Sequence, residues 1–187
     1  VVGIDRGVAN TLSLDDGRMM QAPSWTPAEQ ARFVRLQQQL ARQVKGSKRR
    51  QRTLDAIGRL HLRLTDRRTD WVEQTTTALA REFATIAIED LNIPGMTRRP
   101  APKPDLDQPG QYLPNNARAK AGLNRAIRAS VWGQFALRLA DKTSVIVVPA
   151  PGTSQECRAC VHRAPEYREN QADFRSVDCG HTAHADT

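Results

Sequence analysis

Apolar residues fall along this chain in two rhythms, short β-branched runs and long stripes recurring every three or four positions. The run that organises the rest is Thr85-Ile86-Ala87-Ile88-Glu89-Asp90-Leu91, apolar up to Ile88 and then doubly acidic. Its length and β-branching predict a buried strand. Side chains alternate faces along a strand, so Glu89 and Asp90 are expected to point to opposite sides where it ends. Val1-Val2-Gly3-Ile4-Asp5 has the same shape at the start of the chain, and His184-Ala185-Asp186 places a further acid near its end. Asp5, Glu89 and Asp186 are expected to converge on one edge of a sheet.

The remaining pattern supplies the sheet and its cover. Val8 to Leu14 reads as a second strand, with Asn10, Leu12 and Leu14 on one face. Asp15-Asp16-Gly17-Arg18 carries the Asp-Gly signal of a hairpin turn, and Met19 to Ala22 would be the third strand. Thr26-Pro27-Ala28-Glu29 is a helix start: Thr26 caps, Pro27 suits the first helical position, and Glu29 completes a capping box. Phe33, Leu36, Leu40 and Val44 form one stripe at helical spacing. A second stripe runs through Leu54, Ile57, Leu60, Leu64, Trp71, Thr75 and Leu79; continued to Phe83 it gives a helix about 45 Å long. The two helices are expected to pair as an antiparallel hairpin over about residues 27–83. Residues 92–116 contain six prolines and read as a loop. Leu123, Ile127, Val131, Phe135 and Leu139 predict one further helix covering the sheet, and Ser144 to Pro149 a strand buried on both faces. Strand, hairpin, helices, strand, helix, strand is the order of an α/β domain, a mixed sheet flanked by helices, over residues 1–151. From there the chain turns to Cys, His, Gly and polar residues, read as a small insert at 152–182 with 183–187 opening a final segment.

Composition narrows the partners. The 187 residues are 39% hydrophobic, which fits a globular domain with a core. No apolar run approaches the roughly 18 residues that span a bilayer, and no signal-peptide pattern opens the chain, so a cytoplasmic, nucleoid-associated protein is expected. Val1 lies inside an apparent strand and Thr187 directly follows an acid, so the chain reads as a fragment of something longer. With 28 Lys and Arg against 20 Asp and Glu, the net charge is +8. That excess favours a nucleic-acid partner. It is densest between the two long helices, where Lys45, Lys48, Arg49, Arg50 and Arg52 stand with no acid among them.

Three cysteines without an export signal argue against a disulfide framework. Cys157-x-x-Cys160 instead has the spacing of a metal knuckle, and Cys179 follows after 18 intervening residues. A second Cys pair would complete a zinc site, but Ser176 stands where its first member belongs, and a neutral hydroxyl is a poor zinc ligand. His181, with His162 and His184 as lesser candidates, is expected to complete a Cys₃His site for Zn²⁺ with Cys157, Cys160 and Cys179.

The acids suit a different ion. Mg²⁺ prefers hard oxygen ligands and keeps waters in its shell. Two such ions held by three or four carboxylates from separate elements serve phosphodiester cleavage. Asp5, Glu89 and Asp186 fit that role, although any single acid ending a strand is more often a turn former or a helix cap.

Taken together, Gly3-Ile4-Asp5-Arg6-Gly7-Val8, Ile86-Ala87-Ile88-Glu89-Asp90-Leu91-Asn92, Thr153-Ser154-Gln155-x-Cys157-x-x-Cys160, Cys179-Gly180-His181 and Ala185-Asp186 resemble the TnpB (OrfB) family of insertion-sequence proteins. In that family these are the three RuvC segments, with a zinc ribbon between the second and third. The resemblance covers essentially the whole chain and extends, more distantly, to the type V CRISPR effectors. It implies an RNase H-like (RuvC) fold and RNA-guided, Mg²⁺-dependent cleavage of a DNA target. It also implies catalytic roles for Asp5, Glu89 and Asp186, with Asp90 left out. The basic corner would lie near guide RNA or heteroduplex and contact phosphates. Three departures stand out: Ser176 in place of Cys, Val161 in place of a Gly after the first knuckle, and the lack of a recognition region before Val1 and of a helix after Asp186. They admit a second reading, a catalytically inactive nucleic-acid-binding relic of a transposase.

Overall fold

The computed structural model describes residues 1–108, 110–149, 157, 159, 160, 162 and 173–184. Five strands form one mixed sheet in the order β3-β2-β1-β4-β7. β1 (Val2–Asp5) pairs antiparallel with β2 (Leu12–Leu14), which pairs antiparallel with β3 (Met19–Met20). On its other side β1 runs parallel to β4 (Thr85–Asp90), and β4 runs parallel to β7 (Ser144–Pro149). The strand expected from Val8 is shorter than its apolar pattern, because residues 8–11 bend before Leu12. The turn behaves as its Asp-Gly signal requires: Gly17 takes φ 90°, and its N–H donates to the Leu14 carbonyl.

Two long helices separate the hairpin from β4. α1 (Pro27–Ala41) begins with the complete capping box: the Glu29 N–H donates to Thr26 Oγ1 at 3.2 Å and the Thr26 N–H to the Glu29 carboxylate at 3.0 Å. Val44 lies beyond the end of α1 and is 77% exposed, so the predicted stripe closes at Leu40. α2 (Lys48–Glu82) is continuous for 35 residues. At 1.5 Å per residue it is about 52 Å long. It starts earlier than its apolar stripe because Ser47 caps it, accepting from the Arg50 N–H at 3.2 Å. α1 packs on α2, and a two-pronged ion pair from Arg67 to Glu29 at 2.8 Å ties them. Trp25 stacks on Phe33 at 5.5 Å between ring centroids, and His61 meets both rings edge-on.

One face of the sheet makes the core. Val2, Ile4, Leu12, Leu14, Ile86 and Ile88 pack there against Val72 and Leu79 of α2 and Phe135 and Leu139 of α5. Lys142 pins this layer from outside: its ammonium donates to Glu73 at 2.8 Å and to the hydroxyls of Thr76 at 2.8 Å and Thr77 at 2.9 Å.

Three expectations need correction. The single helix over Leu123–Leu139 is two, α4 (Ala117–Ala129) and α5 (Trp132–Ala140), broken where Val131 adopts φ 53°. A β-branched residue there is strained; its partial burial against the core holds it in place. The proline-rich stretch is not bare loop. It contains α3 (Ile93–Met96), capped by Asn92, and a small ladder of β5 (Lys103–Pro104) with β6 (Tyr112–Leu113). Finally, β7 is an edge strand rather than one buried on both faces: Ile146 is 48% and Val147 58% exposed. Apolar composition alone does not distinguish a central strand from an edge whose outer side is open.

Candidate functional site

The parallel register fixes the acids. Gly3 lies opposite Ala87 and Ile4 opposite Ile88. One step further along each strand stand Asp5 and Glu89, at the same level and on the same face. That face is the one opposite the core residues Ile4 and Ile88. Across the whole sheet the row reads Met19, Ser13, Asp5, Glu89, Val148, since Ser13 pairs with Met19, Asp5 with Ser13 and Glu89 with Val148. Asp90 follows on the other face and is exposed. The sheet thus brings two of the three predicted carboxylates together; Asp186 lies outside the described residues.

Sequence reasoning passed over Arg6, whose signal was its position directly after a strand-ending acid. Arg6 is 7% exposed, and its guanidinium donates to the backbone carbonyl of Glu89. Burial lowers its pKa, while Glu89, Asp5 and Asp90 favour its charge. Those interactions place a fixed cation beside the acid row. Arg6 Nε is buried without a protein partner among the described residues. The loop then needs Gly7, because a Cβ there would stand 2.9 Å from the carbonyl oxygen of Asn10.

The predicted metal cysteines come together as well. The thiol sulfurs of Cys157, Cys160 and Cys179 lie within 4.8 Å of one another, and Cys157 to Cys179 is 3.5 Å. Tetrahedral zinc with Zn–S near 2.3 Å spaces its sulfurs roughly 3.8 Å apart, so the donor set fits a thiophilic cation. Among the described residues neither His162 nor His181 joins that group, and the His184 side chain lies outside them; the His181 backbone carbonyl accepts from the Ser176 N–H at 2.8 Å. Ser176 lies beside the cluster and is 1% exposed, with Oγ 3.8 Å from Cys160 Sγ and accepting from the Cys179 N–H at 3.3 Å. Burial pushes the Cys157 thiol up, but the backbone N–H groups of Cys160 and Ala159, helped by Ser176 and Cys179, outweigh it and bring it to about 6. The His162 backbone lowers Cys160, but burial and its two sulfur neighbours prevail and raise it. This is the behaviour of clustered thiols that cannot all ionise without a cation. Below the cluster β8 (Asp173–Arg175) pairs antiparallel with β9 (Thr182–His184).

The basic corner divides. Lys45 lies in the turn between the helices, and Lys48, Arg49 and Arg52 are exposed in the first turns of α2. Arg50 folds inward and donates to the Leu40 carbonyl at 2.6 Å, which satisfies the C-terminus of α1. Four of the five predicted cations therefore face solvent.

Residues 1–99 match the family model OrfB_IS605, described as "Probable transposase", and residues 132–187 match "Cas12f1-like, TNB domain". The chain is 39% identical over 191 residues to "Putative RNA-guided DNA endonuclease InsQ" of Escherichia coli K12, covering all of this chain and 46% of that protein. It is 36% identical over 92 residues to a "Putative RNA-guided DNA endonuclease" of Streptomyces pristinaespiralis, covering 49% of this chain and 23% of that protein. The chain thus spans about half the length of the first relative and less of the second. A cryo-EM structure of CasPhi-2 (Cas12j) bound to crRNA superposes with a TM-score of 0.54 at 14% identity, covering 99% of this chain and 45% of that one. That likeness establishes the fold. No described helix is long and apolar enough to cross a membrane.

Proposed function

The chain belongs to the OrfB_IS605 transposase family, and we propose that it forms the nuclease core and zinc ribbon of an RNA-guided DNA endonuclease. One observation carries this reading: Asp5, the last residue of β1, and Glu89, the penultimate residue of β4, stand one step past the Ile4–Ile88 pair of adjacent parallel strands, on one face. In the proposed division, residues 1–151 are the RuvC-like core, 152–182 the ribbon, and 183–187 the start of the third RuvC segment. Asp5, Glu89 and Asp186 would hold Mg²⁺, which supplies an activated water and stabilises the leaving oxygen of a cleaved phosphodiester. Their carboxylates offer the hard oxygens that this ion requires. Arg6 fixes the Glu89 backbone and adds positive charge where a phosphate must approach. Cys157, Cys160 and Cys179 would hold Zn²⁺ with Ser176 at the fourth corner, and Lys45, Lys48, Arg49 and Arg52 would contact guide RNA or target phosphates. The protein would work in the cytoplasm at the nucleoid.

The test is Mg²⁺-dependent plasmid cleavage by the assembled endonuclease with its guide RNA. Cleavage is expected to disappear in Asp5→Ala and in Glu89→Ala; activity surviving both excludes this acid row. Ser176 favours a second reading, a binding relic. Salt-sensitive nucleic-acid binding without Mg²⁺-dependent cutting would support it.

A further inference from the structure

The C-terminal end of α1 and the start of α2 border an open cavity of about 450 Å³ lined by Arg35, Gln38, Gln39, Arg42, Gln43 and Arg49. Its volume falls within the range of small-ligand sites. Every lining side chain is polar, and three are arginines. None of those three arginines forms an ion pair among the described residues, and no acid lines the cavity. Arg35, Gln38, Gln39 and Arg42 recur three, four and seven positions apart, the spacing of one helix face. That periodicity is polar, so no apolar stripe marks it in the sequence.

Gln43 distinguishes this cavity from an ordinary solvated surface. Both its side-chain Oε1 and Nε2 are shut off from solvent and neither has a hydrogen-bond partner. A buried amide with donor and acceptor both unpaired is disfavoured, and such groups in native proteins call for an explanation. Arg35, Arg42 and Arg49, which line the cavity with Gln43, are long and exposed, and a base edge reaches the amide only when the Gln43 side chain turns toward them. An amide offers one donor beside one acceptor, which matches the adjacent N6 donor and N7 acceptor of adenine. Guanidinium groups at the rim match phosphate.

We propose that this cavity receives one unpaired nucleotide, its phosphate on Arg35, Arg42 and Arg49 and its base edge, adenine by preference, on the Gln43 amide. The proposal rests on the nucleic-acid-binding part of the reading above and is independent of the acid row. It adds one point of base reading to a surface otherwise expected to grip phosphates alone. The nucleotide comes from a guide RNA or from a displaced DNA strand; the chemistry of the site is the same for both.

The experiment is fluorescence anisotropy of this chain with single-stranded oligonucleotides of about eight nucleotides. Oligo-adenosine, in ribose and deoxyribose forms, is compared with an abasic strand of the same charge. Wild type is expected to bind the adenosine strand about tenfold tighter than the abasic one. Gln43→Leu should remove most of that ratio while leaving the salt slope unchanged. It should also raise the melting temperature, because it takes two unpaired polar atoms out of the interior. Arg42→Ala with Arg49→Ala should weaken both strands alike and flatten the salt slope by roughly 0.7 per arginine. A tighter ribose strand assigns the nucleotide to RNA, and a tighter deoxyribose strand to DNA. Binding without base preference, or a preference that survives Gln43→Leu, overturns this site and leaves the broader reading standing. No binding of any strand overturns both.

Discussion

The guanidinium of Arg6 donates a hydrogen bond to the backbone carbonyl of Glu89, which ties the residue after β1 to the end of β4. Adjacent parallel strands already share a ladder up to Ile4 and Ile88. Arg6 extends that tie past the last ladder pair, at the level of the acids. Arg6→Ala should cost about 2 kcal/mol of stability, the scale of a hydrogen bond from a charged donor. Urea unfolding measures it, and no change in the midpoint would show that the tie is idle.

Gly7 follows in the same loop. Its missing side chain leaves room for the Asn10 carbonyl, so Gly7→Ala forces backbone to shift. The expected loss is about 1–3 kcal/mol. A thermal melt tests it against Gly58→Ala, a position where an added methyl meets nothing within 4 Å. The Gly58 variant should be neutral to stabilising, because alanine suits a helix interior better.

Glu73 should contribute to acid sensitivity, beside Glu29, which Arg67 lowers in the same way. Hydrogen bonds from Arg138 and then Lys142 lower the Glu73 pKa from the ordinary 4.5 to about 2. The folded carboxyl thus titrates below the unfolded one. Its contribution is full above pH 4.5 and is lost as pH falls toward 2. Glu73→Gln should lower stability at neutral pH and flatten the pH dependence in that window. An unchanged slope between wild type and variant would refute the assignment.

The cysteine cluster predicts metal content. Purified chain should carry one zinc per molecule, and Cys179→Ser should carry far less. Ser176→Cys should hold its zinc more strongly against EDTA, because a fourth thiolate replaces a neutral hydroxyl. Elemental analysis reads all three. Equal zinc in wild type and Cys179→Ser would show that the metal lies elsewhere.

How much of this was legible in the sequence depends on how local each signal is. The Thr26–Glu29 capping box spans four residues and needs nothing beyond them. The acids Asp5 and Glu89 were legible through the two-residue alternation of a strand, which fixes the face once the core residues are known. The break at Val131 was not legible, since the apolar residues keep their spacing of four straight through it and only packing against the core imposes the φ of 53°. Nor was the edge position of β7, because its apolar run looks the same with one neighbour or two. In the basic corner, charge alone could not single out Arg50 as the residue that turns inward onto Leu40.

The central claim is that Asp5 and Glu89 hold a divalent cation between them. Mn²⁺ titrated into ¹⁵N-labelled chain, as a paramagnetic substitute for Mg²⁺, tests it most directly. The amide signals of Asp5, Glu89 and their row neighbours Ser13 and Val148 should broaden first, and Glu89→Gln should abolish the effect. Broadening centred elsewhere, or unchanged in Glu89→Gln, would contradict the account.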